Sequence, residues 1–283
     1  MDLKALKDEP PWDWPAGAGK TFLKVLRDAR ARESDRLLAA ELAGDFTVIN
    51  DELVAALLAI VRERNEPGQL RAKAAISLGP ILDHADTMGF DDPEDVPIAK
   101  DTFRSIQDSL YQLYMDTGVP KEVRRRILEA SVRAPQDWHP DAIRAAYSSD
   151  DEEWKLTAVF AMRWVRGFND QIIEALRSAN PDIHYEAICA AGNWGVDAAW
   201  PHVVRLVKSK GTDKDLLLAA IDAVASIRPR EAGVILVDLT DSDDEDIVEA
   251  AHEAMAMAMA EVRSEDDFDE DEDEDDEDDI TIH

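Results

Sequence analysis

The chain of 283 residues contains a single cysteine, Cys189, so no internal disulfide can form. Bases are scarce: 31 Lys and Arg stand against 62 Asp and Glu, a net charge of −31. That field opposes non-specific binding to nucleic acid and favours basic partners. No run approaches the ~20 apolar residues of a membrane-spanning helix. The opening "MDLKALKDEPPWDWP" also lacks the apolar core of a secretory signal. β-Branched runs are short and strand alternation is nearly absent, so a sheet is not expected. These absences lead to the expectation of a soluble, cytoplasmic, all-α protein with no membrane or nucleic-acid partner.

What the chain has is repetition. The stretch Ile183 to Trp194, "IHYEAICAAGNW", reads as an amphipathic helix: apolar first position, small fifth, small or apolar eighth and ninth. The template recurs from Leu70 (Ala74, Ser77, Leu78), Trp154 (Ala158, Ala161, Met162), Leu216 (Ala220, Ala223, Val224) and Ile247 (Ala251, Ala254, Met255). A copy from Asp35 keeps Ala39, Leu42 and Ala43, and one from Val123 has Ile127 at the small position. The fifth positions are spaced by 35, 53, 31, 29, 33 and 31 residues, so the middle carries an insertion. Positions one, five, eight and nine share one helix face. Alanine there lets a neighbouring helix approach closely.

Each copy follows a polar break rich in Ser, Thr, Asp, Asn and Pro, the chemistry of helix starts. Before each break lies another amphipathic run, such as "WPHVVRLVKSK". A helix, a break and a helix every ~30–45 residues mark a stacked helical solenoid. The strings "GQLRAKAAISLG", "PKEVRRRILEAS" and "WPHVV" resemble HEAT repeats, over roughly residues 19 to 260. The resemblance implies an α-solenoid of about six to seven helix pairs whose second helices line a concave side. The family's arginine after the first apolar position survives as Arg71 and Arg124, but becomes Lys155, His184, Leu217 and Val248 elsewhere. No regular Asp partner precedes it.

The expected organisation has three parts. Residues 1–18 form an extended arm, rich in Pro and Trp, laid over the first helix pair as a cap. Its Trp12 and Trp14 are expected to leave solvent, although a partner-binding aromatic motif is the functional alternative. Residues 19–261 form the solenoid, with pairs at 19–44, 51–85 and 97–133, a polar connection at 86–96, and four compact pairs from 139. Residues 262–283 form a disordered acidic tail. Residues 264–283 alone hold 14 acids and no Lys or Arg, leaving 48 acids against 31 bases, or −17, for the rest. That residual charge fits a basic partner and fits a salt-adapted host as well.

Catalytic and ligand-binding patterns are incomplete. "AGAGKT" at 16–21 has Trp14 where a phosphate loop needs its first glycine, and no strand leads into it. His252 and Glu253 begin an H-E-x-x-H string that ends in Ala256, so two imidazoles cannot share one zinc. A single His-Glu pair also falls short of the several that iron-binding HEAT hydroxylases use. Asp241 to Asp246 lacks the glycine of a calcium loop, and Cys189 has no basic setting to activate it. No cofactor, metal or enzymatic activity is expected.

The third, seventh and tenth template positions should face the groove: Arg125 and Glu129; Leu156, Phe160 and Arg163; Tyr185, Cys189 and Gly192; Leu218 and Asp222; Glu249 and Glu253. Exposed aromatics beside arginine suit an interface hot spot. The candidate partner-binding residues are therefore Leu156, Phe160, Arg163, Trp164, Tyr185, Trp194, Asp222, Glu249 and Glu253. Burial of "WKLTAVFAMRW" on both sides is the competing structural reading. The expected function is a non-catalytic scaffold gripping a protein or peptide. A chaperone or nucleic-acid mimic, shielding a basic protein by charge, is the alternative.

Overall fold

The computed structural model describes residues 2–92 and 94–274, with side chains as far as Ser264. Among them there are helices and turns but no strand. Two compact units result, one ending at Val165 and the other beginning at Arg166.

In the first unit α1 is Leu3–Asp8, α2 Ala18–Arg27, α3 Glu33–Leu42, α4 Asp51–Arg62 and α5 Gly68–Ile76. It continues with α6 Gly79–Met88, α7 Lys100–Met115, α8 Lys121–Ser131, α9 His139–Tyr147 and α10 Glu152–Ala161. The second unit holds α11 Asn169–Ala175, α12 Pro181–Asn193, α13 Trp200–Lys208, α14 Lys214–Ile227, α15 Pro229–Leu236 and α16 Glu245–Glu274. The breaks do the capping expected of them. The side chains of Asn50, Asp151, Asn180 and Asp213 each accept from backbone N–H groups in the first turn of α4, α10, α12 and α14.

The template's fifth positions fall on α3, α5, α8, α10, α12, α14 and α16. All seven side chains, Ala39, Ala74, Ile127, Ala158, Ala187, Ala220 and Ala251, have 0% exposure. Second helices lie against one another in each unit: α3 on α5 and α5 on α8 in the first, α12 on α14 and α14 on α16 in the second. The contacts are close enough to exclude a methyl group. A Cβ on Gly44, just beyond α3, would sit 2.3 Å from the carbonyl oxygen of Ser77 at the end of α5. A Cβ on Gly192 would meet Ala223 of α14 at 3.1 Å from its Cα.

Arginine ties first helices to second ones. Arg36 Nη2 donates to the Leu26 carbonyl at 3.2 Å, Arg71 Nε to Val61 at 2.9 Å, and Arg124 Nε to Tyr114 at 2.8 Å. In each case a second helix supplies a donor to the last turn of the helix before it, where carbonyls lack intrahelical partners. Arg36 also forms a fork to Glu66, at 2.6 and 2.7 Å. The repeated bond therefore runs within a helix pair.

Two expectations need correction. The first 18 residues are not extended: Asp2 caps α1, and its Leu3 and Leu6 are buried, with α1 against α3. The prolines that block a helix begin only at Pro10. Trp14 folds in, donating its indole N–H to the carbonyls of Leu6 and Glu9 and meeting Phe22 edge-on. Trp12 stays 78% exposed, contrary to expectation. The stretch 51–85 is not one pair either, because Gly79–Pro80 opens a separate helix, α6. That extra helix and the long α7 account for the stretched spacing. Of the expected tail, residues 275–283 lie outside the described residues, while α16 runs to Glu274.

His139, at the start of α9, is fully buried. Its Nδ1 accepts from the Gln136 N–H at 2.8 Å, and Nε2 lies 3.0 Å from the Ser131 hydroxyl. Burial pushes this imidazole down to about 4, so it stays neutral.

Two outcomes follow for stability. Gly44→Ala should lower unfolding stability by about 1–3 kcal/mol, because backbone must move to admit the methyl. Gly233→Ala, in α15 with nothing within 4 Å, should raise it by about 0.5–1 kcal/mol. Chemical denaturation of both variants is the check. Between about pH 6.5 and 4 the unfolded chain holds a proton on His139 that the folded one lacks, so stability falls as pH falls through that window. His139→Gln should remove up to about 3 kcal/mol of that pH dependence, read from unfolding free energies at pH 7 and pH 4.

Candidate functional site

Along the expected groove positions the side chains divide into buried joints and open clusters. On α8, Arg125 and Glu129 do not face a groove. Both are buried with Thr157 of α10. Arg125 Nε donates to the Thr157 hydroxyl at 2.9 Å, which in turn donates to Glu129 Oε1 at 2.6 Å. Glu129 also pairs with Arg126, and Arg125 with Glu153 at 2.9 Å. Every charge in this network has a partner, as burial requires. It joins α8 to α10. Gly192 is likewise buried, at the contact between α12 and α14.

In the first unit, Leu156 and Phe160 lie one turn apart on α10, followed by Arg163 and Trp164, and all four are half-buried. The Phe160 and Trp164 rings are 4.8 Å apart. The Arg163 guanidinium lies 5.9 Å from the Phe160 ring and 5.1 Å from the Trp164 ring. Arg133, which sequence reasoning missed, takes the same two distances to these rings. Two cations and two aromatic faces thus form one partly open cluster, each contact within cation–π range.

In the second unit, Trp194 is half-buried just beyond α12, and the Arg166 guanidinium sits 4.7 Å from its ring. Arg166 too was missed. Its signal was its place in "RWVRGF", beside the arginine that was chosen. These residues line a cavity of about 860 Å³ with Asn169, Gln171, Asn193 and Glu261. The walls are backbone, side-chain amides, the Ser226 hydroxyl, the carboxylates of Asp170 and Glu261, one arginine and one aromatic, a set suited to hydrogen-bonding a peptide chain while stacking one of its side chains. Tyr185 and Cys189 are half-buried on α12; neither lines this cavity.

The acidic candidates Asp222, Glu249 and Glu253 are exposed. Partial desolvation, and then the charge of Glu253, raise the Asp222 carboxyl above its ordinary value. Asp222 and Glu253 therefore share a local field across α14 and α16, with Glu249 one turn from Glu253. Among the described residues, no three His, Cys, Asp or Glu side chains are grouped to hold a metal ion, and no helix is long and apolar enough to cross a membrane.

Residues 169–256 match the family model of HEAT repeats. The E. coli protein YibA, of known structure, is 16% identical, with 87% of this chain and 84% of that one covered and a TM-score of 0.46. Human deoxyhypusine hydroxylase, solved in complex with glycerol, is 15% identical over 91% of this chain and 88% of its own, at a TM-score of 0.41. A computationally designed armadillo repeat protein for modular peptide recognition is 14% identical over 84% and 98%, at 0.32. No curated protein matches the sequence. The expected HEAT resemblance thus stands, carried by the repeats of the second unit.

Glu253→Gln should bring the Asp222 carboxyl down towards its ordinary range by removing the nearby charge. A carboxylate NMR titration reads this directly, and an unchanged midpoint would mean that the two side chains do not share a field.

Proposed function

We propose that this chain of HEAT repeats is a non-catalytic scaffold that binds a protein or peptide partner on the face carried by its second helices. The observation that carries the reading is the pairing of half-open aromatics with guanidinium groups: Phe160 and Trp164 with Arg163 and Arg133, and Trp194 with Arg166. Trp and Arg in partly enclosed settings dominate binding energy at protein interfaces. The cavity beside Trp194 adds side-chain amides that can satisfy a partner's backbone. Leu156 extends the Phe160 cluster of the first unit, while Tyr185, Asp222, Glu249 and Glu253 extend the candidate surface of the second, whose acidic members favour a partner with basic residues. A repeat array suits this work because each repeat adds surface without changing the fold. A cytoplasmic location accompanies the reading.

A second reading rests on charge. Asp222, Glu249 and Glu253, with the 14 acids of 264–283, could instead shield a basic protein. The two are separable by isolating partners of the full chain with cross-linking mass spectrometry and comparing variants. Scaffold binding should weaken at least tenfold in Trp194→Ala or in the pair Phe160→Ala and Trp164→Ala, and survive removal of 265–283. Retained binding in those variants, with loss on tail removal and a steep decline in salt, would overturn it in favour of charge shielding.

A further inference from the structure

The second unit contains a group of bases that the proposed partner surface does not use. His184 on α12 and His202 on α13 bring their Nε2 atoms to 2.8 Å, with ring centres 5.0 Å apart and planes at 74°. At that distance one ring donates its N–H and the other accepts, so the pair is satisfied with a single shared proton. His184 occupies the template position that Arg36, Arg71 and Arg124 use elsewhere to reach the preceding helix. Here the side chain meets another helix's imidazole instead.

Two guanidiniums stand near the pair. Arg205 lies one turn beyond His202 on α13, and Arg177 follows α11, which packs on α12. Burial lowers both rings below their ordinary value, and at His202 the charges of His184, Arg205 and Arg177 add to it. Neither arginine has a carboxylate partner among the described residues. Acids do stand on these elements, Asp170 and Glu174 on α11, Asp182 and Glu186 on α12 and Asp215 on α14, and none is ion-paired to either arginine. α14 lies against both helices, but its Lys214 is bound to Asp244 and Asp246, while Asp197, in the turn before α13, is bound to Arg228. The sequence from 198 to 212 has no Asp or Glu, yet contains His202, Arg205, Lys208 and Lys210. In a chain with twice as many acids as bases this is a locally basic stretch. Its cations also make a metal ion an unsuitable occupant.

We propose that His184, His202, Arg177 and Arg205 form a proton-coupled binding site for a tetrahedral oxyanion, a phosphate or phosphoryl group. The anion pairs with the two guanidiniums, which form no ion pair among the described residues. As it binds, the histidine pair takes up a second proton, so that both Nε2 atoms become donors and the N–H···N bond is replaced by two bonds to anion oxygens. No covalent step is involved, and the proton comes from solvent. The site shares no residue with the Trp194 cavity or the Phe160 cluster, so its failure would leave the scaffold reading untouched.

The test is titration of the full chain with inorganic phosphate and with sulfate at pH 5.5, 6.5 and 7.5, followed by imidazole NMR and by calorimetry. Uptake of one proton by the protein predicts on the order of tenfold tighter binding per unit fall in pH for sulfate, whose charge is constant in this range. The phosphate series is read after allowing for phosphate's own protonation. It also predicts that saturating phosphate raises the titration midpoints of His184 and His202. His202→Gln should abolish the pH dependence, and Arg205→Gln, at an exposed position, should weaken binding at every pH while keeping its slope. Competition by sulfate supports recognition of the tetrahedral oxyanion, while preference for a phosphorylated peptide over phosphate would assign the same site to a phosphoryl group on a protein. No detectable phosphate binding at millimolar concentration, a pH-independent affinity, or an unchanged slope in His202→Gln overturns the proposal.

Discussion

Close approach of second helices along a face of alanine and glycine governs the rest of this structure. A helix pair of some thirty residues cannot bury its own apolar side, and stacking it on a neighbour is what removes that side from water. The seven positions with no exposure mark that contact, and Ala at six of them keeps the helices near enough for dispersion to act over many small contacts. Larger residues then have to lie elsewhere. The aromatics Phe160, Trp164 and Trp194 are displaced to the margins of the stack, where they remain half-open and meet arginine.

Once the stack is set, its polar groups must be satisfied within narrow limits. The carbonyls at the ends of α2, α4 and α7 receive arginine N–H groups from the following second helix, and Arg125, Thr157 and Glu129 close a small network between α8 and α10. These bonds explain why several charged residues on second helices are buried in so acidic a chain. The second unit lacks the arginine at the equivalent position of α12 and has the histidine pair in its place. The two arginines there, which form no ion pair among the described residues, contrast with the exposed acids of α14 and α16.

Repeat spacing, helix caps and the small-residue face were legible because each depends on neighbours in sequence. Asn50, Asp151, Asn180 and Asp213 reach only two or three residues ahead. The aromatic candidates were legible for the same reason: Phe160, Arg163 and Trp164 occupy consecutive turns of one segment. Arg133 and Arg166 were not, since each reaches its ring by folding. Arg125 and Glu129 were misplaced because a period of 3.6 identifies the face towards one neighbour, while a stacked helix has neighbours on more than one side. α1 escaped notice because three nearby prolines obscured a well-capped first turn, and α6 because a Gly-Pro start resembles an interruption.

By itself the sequence determined an all-helical array, its approximate register, the residues that cap its helices and the stripe that is buried. Those properties follow from backbone hydrogen bonding and helical periodicity, both of which act over a few residues. Only the tertiary structure decided which charges are joints and which are open, where Arg133 and Arg166 come to rest, and that His184 meets His202. Such pairings join residues that are distant in sequence, and their geometry is fixed by how helices pack.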